Sequence, residues 1–188
     1  MDPRAAQTRE ALSAAILELA AERPLDAITV TDIVSRADVH RSSLYQHFSD
    51  REELLASALE AAETSALRVT APVRAPSDPD RPPTELLRFL QHFADYADVY
   101  RMALGPQGSA RVAARVRAQT LELVREGMAL TNPEPSPSIP FDIGSAATTG
   151  ALLAVIEAWL NRDPLPSIDE AARWIWQLLK TGYDRLEA

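Results

Sequence analysis

Apolar residues recur three and four positions apart along nearly the whole chain, and no stretch alternates with period two between hairpin turn signals. The pattern predicts an all-α protein of about nine helices. The first spans residues 4–22, with Ala11, Ala15 and Leu19 on one side, Leu12 and Ile16 beside them, and Pro24 as its stop. Two short helices are expected at 29–37 and 41–48. Thr29 and Asp32 stand at the spacing of a capping box, in which each side chain takes the other's backbone amide. Asp50 is placed to cap a longer helix from 51, with Glu53 in the reciprocal position and Leu54, Leu55 and Leu59 turned toward a core.

Residues 71–83, APVRAPSDPDRPP, hold five prolines in thirteen positions and almost nothing apolar, which neither helix nor strand absorbs. A domain boundary is expected there, with one domain at 1–70, a proline-rich linker at 71–83 and a second domain at 84–188. Past the linker the pattern predicts a helix at 84–104, broken around Asp98 and ended by Gly105-Pro106, then a long one at 109–130 with Val112, Val116 and Leu123 inward. A proline-rich loop at 132–140 leads to a helix at 141–161. The last helix starts from a second capping box, Ser167 with Glu170, and runs to near the C-terminus.

Composition narrows the chemistry. The 188 residues are 46% hydrophobic and 24% charged, which suits one folded domain or two small ones. Without cysteine there is no disulfide framework, no thiolate nucleophile and no cysteine-type zinc site. The three histidines, His40, His47 and His92, include no pair at the spacing of a helical metal site, and no nucleophile stands with a recognisable base. Neither catalytic residues, metal nor cofactor is expected, and the chain does not read as an enzyme. It opens directly into a charged helical pattern, and no apolar run is expected to reach the length that spans a bilayer, so a cytoplasmic protein with no membrane partner is expected. Nineteen basic against 27 acidic residues give a net charge of −8, which argues against a generic polyanion binder.

The informative stretch is residues 29–55, TVTDIVSRADVHRSSLYQHFSDREELL. Two short helices joined by Ala37-Asp38-Val39-His40 have the length of a helix-turn-helix, with Ile33, Val34, Val39 and Leu44 locking the pair. The second helix then points Arg41, Ser42 and Ser43 outward, with Tyr45, Gln46 and His47 on the next turn. Arg and Gln address base edges, while hydroxyls suit phosphate oxygens. Arg51 places a cation at a helix start, where exposed amides already favour an anion.

This segment resembles the DNA-binding domain of the tetracycline-repressor-like (TetR) family. Thr29, Val30, Asp32, Ile33, Ala37, Val39, Leu44, Tyr45, His47, Phe48, Leu54 and Leu55 fall on matching positions, and Arg51 takes the place of the family's Lys. The resemblance covers roughly the first third of the chain and implies a homodimeric, ligand-responsive transcriptional regulator that binds a double-stranded DNA operator. Thr29, Thr31, His40, Arg41, Ser42, Ser43, Tyr45, Gln46, His47 and Arg51 are its candidate DNA contacts. Asp38 stands where the family has Gly and tolerates the left-handed conformation, and His40 stands where it has Ser at the cap. Residues 1–68 hold seven Arg and no Lys against twelve acids, whereas a DNA-binding domain is normally basic. Acids on helix faces turned away from DNA would reconcile the two.

For the second half, the resemblance implies a small, largely apolar effector among the helices after the linker. His92, Phe93, Tyr96, Tyr100, Met102, Gln119, Met128 and Trp159 are the candidate lining, each also at home in an ordinary core. Small residues at Gly144, Ala147, Ala151, Ala154 and Ala158 allow a close helix approach. With Ile175, Leu179 and Gly182 on the last helix they suggest a four-helix interface between two copies, although intrachain packing would use the same stripe. A dimer of helix-turn-helix domains calls for a palindromic operator.

Overall fold

The computed structural model describes residues 3–67, 81–106, 108–131 and 139–184. Among the described residues there are nine α-helices and no strand: α1 (Pro3–Glu22), α2 (Val30–Arg36), α3 (Arg41–His47), α4 (Arg51–Leu67), α5 (Thr84–Asp95), α6 (Ala97–Leu104), α7 (Ala110–Thr131), α8 (Phe141–Leu160) and α9 (Ile168–Asp184). A 3-10 turn at Leu25–Ala27, not anticipated from the sequence, follows Pro24. The break after α5 falls at Tyr96, two residues before the expected Asp98. The linker at 71–83 and the loop at 132–140 lie mostly outside the described residues.

The chain divides into two compact units, residues 1–64 with 96–116, and 65–95 with 117–188. In the first, α1 buries Leu12, Ala15, Ile16, Leu19 and Ala20 and packs against α2, α3 and α6. Ile28, Ile33, Leu44 and Phe48 close the core beneath the short helices, and Leu54, Leu55, Ala58 and Leu59 join it from α4. Each fully buried Leu or Ile contributes about 1.5–3 kcal/mol relative to an exposed one. Val99, Tyr100 and Ala103 of α6 and Val112 and Val116 of α7 are buried in the same unit. The division therefore differs from the expected one, because α6 packs on α1 and brings residues 96–116 to the first unit. Gly105 and Gly108 end α6 where any Cβ would stand 2.5 Å from the Arg101 carbonyl oxygen and 2.0 Å from that of Ala103.

In the second unit α5, α8 and α9 pack on one another. Phe89 and Phe93 meet edge to face at 5.0 Å, and His92 meets Phe93 at 5.6 Å. Leu152, Ile156, Trp159 and Leu160 of α8 and Ala171, Ala172 and Ile175 of α9 complete the core. Buried hydroxyls on α8 are satisfied within the helix: Ser145 Oγ donates to the Asp142 carbonyl at 3.1 Å and Thr149 Oγ1 to that of Ser145 at 2.8 Å. By length and composition α8 is long and apolar enough to cross a membrane, with mean hydropathy 1.5. This corrects the expectation that no run reaches that length; Leu152, Leu153, Val155 and Ile156, with Ile143, Leu160 and the alanines between them, raise its hydropathy. It packs on α5 and α9, and a third of its most apolar stretch is buried.

Candidate nucleic-acid interface

The helix-turn-helix is built from local chemistry. Thr29 Oγ1 accepts from the Asp32 amide at 3.2 Å, and Asp32 Oδ2 accepts from the Thr29 amide at 2.8 Å, so the predicted capping box starts α2. The Thr29 amide, followed by its hydroxyl and Arg23 at 3.0 Å, holds the Asp32 carboxyl below the usual carboxylate range. α2 ends as the Ala37 amide donates to Ile33 and that of Val39 to Val34. Asp38 takes φ 52°, the left-handed conformation expected of it, and reverses the chain into α3. Ile33 and Leu44, both fully buried, lock the two helices, with Val34 and Val39 half-buried.

α3 then presents Arg41, Ser42, Tyr45 and Gln46 to solvent, while Ser43 and His47 are half-buried. Tyr45 is 51% exposed, unusual for so large an aromatic side chain on a short helix. Arg41 Nη2 donates to Tyr45 Oη at 3.4 Å, with its guanidinium 5.8 Å from the ring centroid, so one side chain orients the other. His40 occupies the cap position of α3 but makes no capping bond and stays exposed. Thr31 is exposed on α2, whereas the Thr29 hydroxyl, exposed as well, is engaged on both sides by Asp32. Behind the surface, Arg9 stacks on the buried Phe48 ring at 4.8 Å.

The basic residues are distributed differently from the expectation. Arg36 is drawn to α1, 3.0 Å from Glu18 and 3.1 Å from Glu22, which holds its pKa above the usual range. Arg51, expected on an anion, donates through Nη1 to the carbonyls of Asp26 at 3.2 Å and Ile28 at 2.8 Å. It fastens the 3-10 turn to the start of α4. Asp50 caps α4 as predicted, accepting from the Glu53 amide at 2.8 Å, but Glu53 reaches back to the Ser49 amide at 2.6 Å, one residue earlier than the predicted box. Arg111 of α7 pairs with Asp50 at 2.6 Å. The Glu53 amide, with Arg111 and Ser49, keeps the Asp50 carboxyl below its usual range. Among the described residues Arg41 is thus the one arginine between 36 and 51 bound neither to a carboxylate nor to a backbone carbonyl.

The other two candidate sets fare unevenly. Tyr96, Tyr100 and Met102 belong to the first unit, and His92, Phe93, Gln119, Met128 and Trp159 to the second. His92, Phe93, Tyr100 and Trp159 are buried, and the rest are half-buried. Trp159 Nε1 donates to the Pro166 carbonyl at 2.9 Å. Burial pushes the His92 pKa down to about 4, so its ring is neutral at pH 7. Met102 borders a void of about 10 Å³ with Leu25, Leu55, Val99 and Val112, the scale of one water. On α8, Ala147, Ala151, Ala154 and Ala158 form an exposed stripe, with Gly144 half-buried near Met128 and Ile139. Ile175 is 1% exposed and belongs to the unit's own core, which removes it from the expected interface. Leu179 is half-buried, and the surroundings of Gly182 lie outside the described residues.

Two short helices with a left-handed turn and an exposed polar second helix define a helix-turn-helix protein of the DNA-binding class. Residues 12–58 match the family model of the bacterial regulatory proteins, tetR family. The HTH-type transcriptional regulator YxbF of Bacillus subtilis (strain 168) is 41% identical over 56 residues, which are 29% of this chain and 15% of that relative's length. A TetR transcriptional regulator from Streptococcus agalactiae 2603V has TM-score 0.69 at 20% identity, covering 94% of this chain and 96% of that one. A TetR-family regulator from Rhodococcus sp. has TM-score 0.66 at 19% identity, covering 94% and 98%. Residues 12–58 are thus a tetR-family N-terminal domain, in a chain whose all-α fold is similar to that of these regulators.

Proposed function

We propose that the protein is a cytoplasmic, homodimeric transcriptional regulator that binds a palindromic operator, a repressor released by a small, largely apolar effector. The observation that carries the reading is the exposed face of α3, where Arg41, Ser42, Tyr45 and Gln46 project from a helix locked below by Leu44. Arg and Gln supply bidentate base contacts and the hydroxyls supply phosphate contacts. The dimer is supported by α8 and α9, where the small-residue stripe stands with Phe141, Ile143 and Leu178, which are 39%, 57% and 58% exposed. Release by an effector requires that the ligand bind the state with misplaced recognition helices more tightly than the DNA-bound state. Fluorescence anisotropy against the intergenic DNA upstream of its own gene, beside scrambled duplex, tests the reading. Saturable binding that survives moderate salt and is lost in R41A and Y45A variants of unchanged helicity is expected. Equal, weak binding to both duplexes would overturn it.

A further inference from the structure

Cations are what a protein offers to a phosphate backbone, and in the first unit most arginines are already occupied. Arg23 pairs with Asp32, Arg36 with Glu18 and Glu22, Arg101 with Asp98, Arg111 with Asp50 and Arg115 with Glu60, while Arg51 is held by two backbone carbonyls. Two guanidinium groups stand apart. That of Arg41 meets Tyr45, and that of Arg9 on α1, exposed and bound to no carboxylate or carbonyl among the described residues, meets the ring of Phe48. The two bracket α3: Arg41 is its first residue and Phe48 directly follows its last, about 10 Å further along the helix axis.

Arg9 stands three residues before Leu12 and seven before Ile16, on the stripe of α1 that those two bury. Its side chain therefore leaves α1 toward the core and emerges beside the end of α3, with the guanidinium 4.8 Å from the Phe48 centroid. The ring lies behind the α3 surface, 3% exposed, and its negative face holds the cation in place. His47, the last residue of α3, meets the same ring edge-on at 6.4 Å, so Phe48 gathers a guanidinium and an imidazole at one end of the helix. A planar guanidinium already fixed by stacking gives up little freedom when it takes a ligand. We propose that Arg9 is a further DNA contact, gripping a backbone phosphate at the C-terminal end of α3 while Arg41 works at the N-terminal end, with Phe48 as the aromatic seat that positions it. This rests on the reading of the protein as a DNA-binding regulator. A recognition helix lies in a major groove about 12 Å wide, between phosphate-bearing walls, so cations at both ends of α3 hold the duplex at two places and fix the register of the helix. The same arrangement lets a domain with more acids than bases address DNA, because its uncommitted arginines stand at the ends of the recognition helix.

The test is a set of anisotropy titrations of the full chain across a salt series, against a duplex that the protein itself selects from a random pool and against scrambled duplex. Wild type, R9M, R9K and R41A are compared, with dichroism melts to check the fold. Methionine keeps an apolar stem over Phe48 and removes the charge. R9M is expected to weaken both duplexes by the same factor and to lower the slope of log K against log salt by about 0.9 for each bound protomer. R9K should keep the wild-type slope, and R41A should instead lose the preference for the selected duplex. R9Q carries the same expectation as R9M and replaces it if R9M melts early. A slope in R9M or R9Q equal to that of wild type, or equal losses of slope in R9M and R9K, would overturn the proposal. Wild type that selects no duplex from the pool refutes the regulator reading and the phosphate contact together, whereas selection with a slope indifferent to Arg9 refutes the contact alone.

Discussion

Replacing Arg51 with methionine separates a clamp from a phosphate contact. The guanidinium donates to an exposed Asp26 carbonyl and a half-buried Ile28 carbonyl, 25 and 23 residues away in the chain. Hydrogen bonds from charged donors contribute about 1.5–3 kcal/mol each, and the exposed one stands at the low end or beneath it. Methionine keeps the aliphatic stem but leaves both carbonyls without this donor, so a loss of about 2 kcal/mol is expected. For a chain of this size that corresponds to a melting midpoint about 4–8 °C lower. Urea unfolding followed by circular dichroism measures the loss, and operator affinity across a salt series measures the other possibility. A phosphate contact would reduce the slope of log K against log salt by about 0.9, whereas a clamp leaves the slope alone and weakens binding through misplacement of α2 and α3. An unaltered midpoint with a slope lower by about one would refute the clamp. R51K, which keeps a charge but reaches one carbonyl at a time, should recover only part of the stability.

Glu63 and His92 predict opposing pH effects. The pKa of Glu63, raised by burial and by the charge of Glu60 from 4.5 to about 7, contributes stability that is present below pH 4.5 and lost as pH rises through 7, about 3 kcal/mol in all. His92, lowered from 6.5 to about 4, contributes stability present above pH 6.5 and lost as pH falls toward 4, of similar size. Wild-type urea midpoints should therefore change little between pH 4.5 and 6.5, while E63Q should become more stable as pH rises over that window and H92L less stable; parallel profiles for all three would contradict both assignments. T29A removes the cap of α2 and should cost about 1 kcal/mol, read as a lower urea midpoint at constant m-value. A151R adds a charge to the exposed face of α8, so it should leave helicity intact and shift sedimentation from dimer to monomer, and a dimer that persists would exclude that stripe from the interface.

What the sequence announced was local. Thr29 with Asp32 and Ser167 with Glu170 were legible as boxes because donor and acceptor lie within one turn of chain, and both boxes form. The left-handed turn at Asp38 was legible for the same reason. The assignment of α6 to the first unit was not, because it depends on packing against α1, about 80 residues upstream. Nor could the spacing reveal the carbonyls that hold Arg51, or that Arg36 is bound by α1. Glu63 was missed although a signal existed: it continues the four-residue repeat of Leu55 and Leu59, so an acid stood at a core position of an otherwise ordinary amphipathic helix.

The three tryptophans, Trp159, Trp174 and Trp176, all belong to the second unit. Indole emission is therefore an optical label that nature placed on one half of the molecule only. Trp159, buried and with its N–H held by Pro166, should emit toward the blue and shift red when that half opens. Far-ultraviolet dichroism, by contrast, sums helices from both halves. Recording the two signals in one melt turns the unmodified protein into its own two-channel reporter, in which superimposed curves mean a single cooperative transition and separated curves resolve the order in which the halves come apart.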